Sequence, residues 1–138
     1  MRVLGLDIGD RRTGVALSDE TGLLASSLPA LVSDGSTDML QSIINLVNET
    51  GASEIVVGMP ISLSGDRGKQ AKKVDGILSI LRDQITIPIK TFDERYTTKD
   101  AERILKLIGA KPSRNRARTD SVAAAIILQA YLDSKKIE

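Results

Sequence analysis

The chain has 138 residues, of which 27% are charged and 41% hydrophobic, and its formal net charge is only +1. This composition is typical of one globular domain, here spanning residues 1–138. The absence of cysteine and histidine excludes disulfides, thiolate metal sites, cysteine nucleophiles and any histidine base or ligand from the chain itself. A bound metal must therefore be held by oxygen atoms, which favours Mg²⁺ or Mn²⁺. The chain shows no signal-peptide hydrophobic region and no long apolar run, so we expect a cytoplasmic protein with no membrane partner.

Extended segments with short connections open the chain. Residues 2–8 are predicted to form a buried strand, and residues 13–18 and 23–32 two further strands. Short connections between successive strands indicate an antiparallel meander. Over residues 39–47 the apolar period changes to 3.6, which predicts the first helix.

Strands and helices then alternate. Residues 54–58 (Glu-Ile-Val-Val-Gly) form a short apolar strand after a helix, which is typical of a parallel crossover. We predict a helix at 69–82, a strand at 87–92 that begins near a proline, and two more helices at 98–108 and 119–134. The element order βββαβαβαα predicts an α/β, ribonuclease H-like fold. Its five-stranded mixed sheet is antiparallel over the first three strands, then parallel, and is flanked by helices. The first strand of such a sheet is central.

Three acids occupy positions where a fold seldom leaves a charge without a partner. Asp7 lies within an apolar strand, Glu94 follows an apolar strand, and Asp120 opens the most apolar helix. Burying a lone carboxylate costs several kcal/mol, and three convergent carboxylates repel one another unless divalent cations lie between them. Two Mg²⁺ ions about 3.5–4 Å apart can position a water and stabilise the leaving oxygen of a phosphodiester. A metal-dependent nuclease is thus our leading hypothesis, and it needs no histidine.

Asp120 also has an ordinary structural explanation. It lies at a helix start, where Thr119 or Asp120 would cap the exposed amides and favour the positive end of the helix dipole. Helical geometry places Asp120 on the same face as Ala123, Ala124, Ile127 and Tyr131, and opposite Gln129 and Asp133. We therefore predict that the Asp120 side chain points towards the sheet.

The other two acids have competing explanations as well. Asp7 could form a buried ion pair with Arg12 or Arg95. Asp93 competes with Glu94 for the role of ligand, because both follow the same strand. Polar clusters directly after strands are where α/β sheets collect their ligand sites.

Basic residues lie next to the acids in the sequence and predict a nucleic-acid interface. Phosphate contacts from such residues would make binding salt-dependent and largely indifferent to sequence. The alternative is that these residues only solvate surface loops, and the lysines at 69–73 fit either explanation. With only three aromatic residues, base-stacking platforms are not expected, except at Tyr96. The predicted nucleic-acid-binding residues are Arg11, Arg12, Arg95, Lys111, Arg114, Arg116 and Arg118.

Four segments, in matching order along the chain, resemble motifs of the YqgF/RuvX family. They are residues 5–9 (Gly-Leu-Asp-Ile-Gly) with 12–19 (Arg-Thr-Gly-Val-Ala-Leu-Ser-Asp), residues 56–60 (Val-Val-Gly-Met-Pro), residues 93–98 (Asp-Glu-Arg-Tyr-Thr-Thr) and residues 120–128 (Asp-Ser-Val-Ala-Ala-Ala-Ile-Ile-Leu). Tyr96 stands where the family usually has leucine. The resemblance covers essentially the whole chain.

The resemblance implies a ribonuclease H-like fold, a cytoplasmic location and a nuclease that matures the 5′ end of pre-16S ribosomal RNA. It also implies that Asp7, Glu94 and Asp120 are the shared catalytic and metal-binding acids. Members of the family have further been regarded as Holliday junction resolvases because of their likeness to RuvC. Here the strand at 54–58 ends without an acid, which weakens that interpretation. The expected partner is ribosomal precursor RNA or branched DNA, bound by a monomer or homodimer.

Two other functions stay open. The segments around residues 6–9 and 13–14 also resemble the first phosphate loop of actin-like ATPases and sugar kinases, but those proteins clamp a nucleotide between two such domains. A non-catalytic RNA-binding module is the second alternative, in which the acids serve stability alone.

Overall fold

A five-stranded sheet organises residues 1–33, 39–61, 68–97 and 121–135, which are the parts of the chain that the computed structural model describes. The strand order is β3-β2-β1-β4-β5, so β1 is central. Strand β1 pairs antiparallel with β2 and parallel with β4, β2 pairs antiparallel with β3, and β4 pairs parallel with β5. The predicted mixed sheet is therefore confirmed. Its strands are β1 (Val3–Ile8), β2 (Arg12–Ser18), β3 (Ala25–Val32), β4 (Glu54–Met59) and β5 (Ile89–Asp93).

Helices cover both faces of the sheet. Helices α1 (Met39–Thr50) and α2 (Lys69–Gln84) pack on one face, and α3 (Val122–Lys135) packs on the other. Side chains of a strand alternate between faces, so Leu4, Leu6 and Ile8 of β1 join the α1–α2 core, while Val3 joins the α3 core. The helix predicted at 98–108 lies outside the described residues. None of the helices within the described ranges has the length and apolar character of a membrane span.

Glycines allow α3 to pack closely against the sheet. A Cβ added at Gly5 of β1 would lie 2.8 Å from Leu128 Cβ and 3.3 Å from the Ala124 carbonyl oxygen. A Cβ added at Gly58 of β4 would lie 2.5 Å from Ile127 Cδ1. Since carbon atoms pack best at about 3.5–4.0 Å, both positions require the absence of a side chain. The first turns of α3 thus lie directly over β1 and β4.

Helix α3 is buried on more of its circumference than its periodicity predicts. Gln129, which helical geometry places opposite Asp120, is only 1% exposed. Its Oε1 accepts a hydrogen bond from the Ala25 N–H at 2.9 Å, and its Nε2 donates to the Leu23 carbonyl oxygen at 3.0 Å. The start of β3 therefore folds over the helix, and Gln129 satisfies backbone groups that burial would otherwise leave without partners. Conversely, Ala123 is exposed, so the buried stripe passes through Ala124 and not through Ala123.

Candidate metal centre

Asp7 occupies the one position of β1 that is not fully buried. It pairs with Gly14 of β2. On its other side, the register that pairs Leu6 with Val57 of β4 continues towards Gly58. Both neighbours lack a side chain, which leaves room on the α3 face of the sheet for groups that approach the carboxylate. Burial raises the pKa of Asp7 above its ordinary value of 3.8, because the charged form loses hydration.

Glu94 reaches the same place from the end of β5. The strand ends at Asp93, and Glu94–Tyr96 form a single 3-10 turn. Glu94 Cγ lies 3.3 Å from the position of a Cβ built on Gly58, so the side chain lies over β4 next to β1. Burial, followed by the negative charges of Asp7 and Asp93, raises the pKa of Glu94 above its ordinary value of 4.5. Asp7 and Glu94, called the acid pair below, are thus electrostatically coupled.

Asp93 has a different role from Glu94. Its Oδ1 accepts a hydrogen bond from the Arg95 N–H at 2.9 Å, and its Oδ2 accepts one from Arg95 Nη2 at 2.6 Å. These bonds with Arg95, which outweigh the effect of burial, lower the pKa of Asp93 below 3.8. The Asp93–Arg95 pair closes the 3-10 turn and leaves Glu94 to face Asp7. The Arg95 guanidinium, which was a candidate partner for Asp7 and a candidate phosphate ligand, is thus bound to Asp93.

A buried acid at the opposite end of β4 provides a contrast. Glu54 is 6% exposed; Tyr131 donates its phenol hydrogen to Oε1, and Lys135 Nζ lies 3.2 Å from Oε2. Burial raises the pKa of Glu54, but the hydrogen bonds from Tyr131 and Lys135, with the charges of Lys135 and Lys90, lower it below 4.5 overall. A buried acid with partners from the protein thus has a lowered pKa. The acid pair has raised pKa values, as expected of carboxylates that are buried close to other negative charges.

The third predicted ligand lies outside the described residues. Asp120 belongs to the undescribed range 98–120, as do Lys111, Arg114, Arg116 and Arg118. Within the described ranges no group of three acids could hold a metal ion. The structure therefore brings together two of the three predicted acids, Asp7 and Glu94.

Ser121, the next residue in the chain after Asp120, belongs to the described residues and is fully buried. Its Oγ accepts a hydrogen bond from the Val15 N–H at 3.0 Å. The bond forms where the pairing of β2 with β3 becomes irregular, between Thr13 and Val15. Val15 is paired with Leu6 on β1, so Ser121 fixes the start of α3 close to the strand that carries Asp7.

Two exposed arginines follow Asp7 in the tight turn between β1 and β2. The Gly9 N–H donates to the Arg12 carbonyl oxygen at 2.9 Å, and a Cβ on Gly9 would lie 2.6 Å from that oxygen. The turn therefore needs glycine. The Arg11 carbonyl oxygen accepts a hydrogen bond from Ser33 at 2.8 Å, while the side chains of Arg11 and Arg12 are exposed. Two cations are thus held at the end of β1 nearest the acid pair.

Gly58 and Ser121 were not predicted from the sequence as parts of the candidate site. An isolated glycine in a strand often marks a close approach of another group, and Gly58 at the end of an apolar run carried that signal. Ser121 gave no such signal, because its partner is 106 residues away in the sequence.

Known proteins confirm the motif resemblance over almost the whole chain. The family profile described as RuvX: Holliday junction resolvase matches residues 1–134. A relative from Roseiflexus sp. (strain RS-1) is 45% identical over 135 residues, covering 98% of this chain and 96% of that protein. Another, from Chloroflexus aurantiacus (strain ATCC 29366 / DSM 635 / J-10-fl), is 40% identical over 134 residues, covering 97% and 88%. Both are named "Putative pre-16S rRNA nuclease".

Solved structures share the fold at low sequence identity. Thermus thermophilus RuvC in complex with a Holliday junction substrate has a TM-score of 0.63 at 13% identity, covering 97% of this chain and 96% of that one. The fowlpox virus resolvase in complex with Holliday junction DNA has a TM-score of 0.59 at 12% identity, covering 98% and 99%. The predicted ribonuclease H-like fold is therefore confirmed.

Proposed function

The chain belongs to the RuvX family, and from this membership we propose that it is a divalent-metal-dependent nuclease. Its substrate is the precursor of 16S ribosomal RNA, the substrate in the names of relatives 40–45% identical over nearly the whole chain. The reaction is hydrolysis of a phosphodiester bond, and it takes place in the cytoplasm. The observation that carries the proposal is the acid pair, two coupled carboxylates with raised pKa values at the centre of the sheet.

The residues of the site fit a hard divalent cation. Asp7 and Glu94 offer only oxygen ligands, as Mg²⁺ and Mn²⁺ prefer. Asp120 is the third ligand of the proposal, since it is bonded to Ser121, which is anchored beside β1. A divalent cation held there supplies positive charge that stabilises the transition state of phosphoryl transfer.

The protein's own part is to position these groups. Strand β1 places Asp7 opposite Gly14 of β2, and the Asp93–Arg95 pair holds the turn that presents Glu94. Arg11 and Arg12 bind the phosphate backbone beside the acids, and the basic residues Lys111, Arg114, Arg116 and Arg118 extend that contact. The main role of Arg95 is to stabilise the turn, because its guanidinium forms an ion pair with Asp93. Binding through these cations makes the reaction sensitive to ionic strength.

Cleavage of branched DNA is the second candidate function. The family description and the fold shared with two junction resolvases favour it. Within the described residues, however, β4 ends in Gly58 and Met59 without an acid, and the second carboxylate follows β5. The substrate geometry of those resolvases therefore does not transfer directly to this chain.

One assay separates these functions. The purified protein is incubated with ribosomal precursor RNA, a four-way DNA junction or single strands, each with Mg²⁺, Mn²⁺ or chelator. We expect metal-dependent cleavage of the precursor RNA, with slower cleavage of the junction. Asp7→Asn and Glu94→Gln should lower the rate by more than about 100-fold, since loss of even an outer partner of a metal ligand costs 10–100-fold.

Asp83→Asn is the matched control, because Asp83 is an exposed acid on α2. It should leave the rate unchanged. If Asp7→Asn folds and cleaves RNA at the wild-type rate, hydrolysis at the acid pair is wrong. Binding of RNA without cleavage under any metal condition would favour a non-catalytic RNA-binding module. Isothermal titration with Mg-ATP tests the nucleotide-binding alternative, for which we expect no binding.

A further inference from the structure

Tyr96 is an exposed aromatic residue two positions after Glu94, one member of the acid pair. Its relative exposure is 66%, whereas the other two aromatic residues of the chain, Phe92 and Tyr131, are partly or fully buried. Tyr96 ends the 3-10 turn that begins with Glu94. Residues two apart in such a turn have Cα atoms roughly 5–6 Å apart. The backbone of Tyr96 therefore lies within about one nucleotide's length of the backbone that carries Glu94.

The ring is held in place although it is exposed. Phe92 contacts it edge to face, with ring centroids 6.5 Å apart and planes at 70°. Phe92 is supported in turn by Tyr131 on α3, with centroids 6.2 Å apart and planes at 84°. The turn itself is closed by the Asp93–Arg95 pair and by the Thr97 hydroxyl, which donates to the Glu94 carbonyl oxygen at 2.9 Å. A ring fixed in this way loses little conformational entropy when a flat ligand stacks on it.

An exposed aromatic ring on the turn that carries Glu94 offers a surface on which a nucleobase can stack. Every base has a π-face, and stacking of a base on an aromatic side chain contributes about 1–3 kcal/mol. Such stacking needs a base that is not already stacked within a helix, so it selects single-stranded or locally unpaired nucleotides. A leucine at this position would offer apolar contact but no π-face.

We propose that Tyr96 stacks on an unpaired nucleobase next to the scissile phosphate and so determines the preference of the site for unpaired RNA. Tyr96 is a specificity-determining residue in this proposal, and it takes no part in bond cleavage. The inference rests on the proposed function, because it takes the acid pair as the place where the strand is cut. Its test therefore includes a binding measurement that needs no cleavage.

The binding test uses RNA oligonucleotides in which 2-aminopurine replaces one base at a time. They are titrated with the Asp7→Asn protein, which retains Tyr96 and the arginines. We expect strong quenching of 2-aminopurine fluorescence at one or two adjacent positions. A second change, Tyr96→Leu, should remove the quenching, and Tyr96→Phe should keep it. Leu24→Ala, which removes another exposed apolar side chain, should have no effect.

The kinetic test uses proteins with the acid pair intact. Tyr96→Leu should lower kcat/KM on RNA with an unpaired base at the quenched position about 10-fold, within the range that stacking energies allow. On the same RNA with an abasic site there, wild type and Tyr96→Leu should cleave equally. Quenching that survives in Tyr96→Leu, or an equal loss on both substrates, would overturn the proposal. If no substrate is cleaved but the quenching follows Tyr96, the proposed nuclease function fails and the stacking assignment stands.

Discussion

Replacing Gly5 with alanine tests how the sheet positions α3. The new Cβ would lie 2.8 Å from Leu128 Cβ and 3.3 Å from the Ala124 carbonyl oxygen. Because the preferred separation of carbon atoms is 3.5–4.0 Å, the first contact must open by about 1 Å. Neither of these atoms is the end of a flexible side chain, so the whole helix must move away from β1.

The expected loss in the free energy of unfolding is large for the addition of one methyl group. Overpacking a core costs typically 1–3 kcal/mol, and because the helix backbone must shift, we expect Gly5→Ala to cost ~3 kcal/mol. For a chain of this length, 1 kcal/mol corresponds to a change in Tm of roughly 3–5 °C. We therefore expect Gly5→Ala to lower Tm by about 10 °C. Urea unfolding followed by circular dichroism measures the change in the free energy of unfolding.

Gly76→Ala makes the same chemical change with the opposite expected sign. Gly76 is exposed within α2, and a Cβ built there has no heavy atom within 4 Å. Alanine favours a helix interior by about 0.5–1 kcal/mol over glycine, so this variant should be more stable than wild type. Equal effects of Gly5→Ala and Gly76→Ala, or a wild-type Tm for Gly5→Ala, would refute the close packing of α3 on β1.

Three further predictions concern the acids. Folding raises the pKa of Asp7 above 3.8, so the stability contributed by its protonated form is present at low pH and is lost as the pH rises through the raised pKa. Asp7→Asn should therefore increase the free energy of unfolding of the metal-free protein at pH 7. The same variant should cleave RNA more than about 100-fold more slowly. In the same variant the pKa of Glu94, measured by NMR titration of its side-chain carboxyl carbon, should fall towards 4.5 because the charge of Asp7 is gone; an unchanged value would contradict the coupling of the pair. Tyr131→Phe should lower the free energy of unfolding by ~1.5–3 kcal/mol at pH 7, since it removes a hydrogen bond to the ionised Glu54. Because the pKa of Glu54 is lowered in the folded state, that loss should shrink in urea unfolding well below pH 4.5, and a loss independent of pH would contradict it.

The pairing directions of the strands were predictable because they follow from local patterns. Apolar runs marked the strands, and the change from short connections to intervening helices marked the change from antiparallel to parallel pairing. The ribonuclease H-like arrangement that these directions indicate has a central first strand, and the structure places Asp7 on that strand. The coarse position of the candidate site followed from the same reasoning, because Glu94 comes directly after β5, a parallel strand separated from β1 only by β4.

The contacts that set the site's geometry were not predictable from local patterns. Whether Asp93 or Glu94 faces Asp7 depends on the 3-10 turn and on the hydrogen bonds between Arg95 and Asp93. The bond from Val15 to Ser121 joins residues 106 apart. Burial of Gln129 depends on where β3 begins, which the sequence pattern placed at residue 23 and the structure places at Ala25. Each of these contacts depends on a residue that is distant in the sequence or on the geometry of a turn.

Binding of Mn²⁺ observed by NMR tests the central claim most directly, because the ion broadens the signals of the nuclei nearest to it. Sub-stoichiometric Mn²⁺ should first remove the backbone signals of Asp7, Gly58 and Glu94, while those around Glu54, at the other end of β4, persist. In Asp7→Asn and Glu94→Gln this selective loss should disappear, and in Asp83→Asn it should remain. Broadening spread evenly over the exposed acids, or unchanged in Asp7→Asn, would contradict a metal centre at the acid pair.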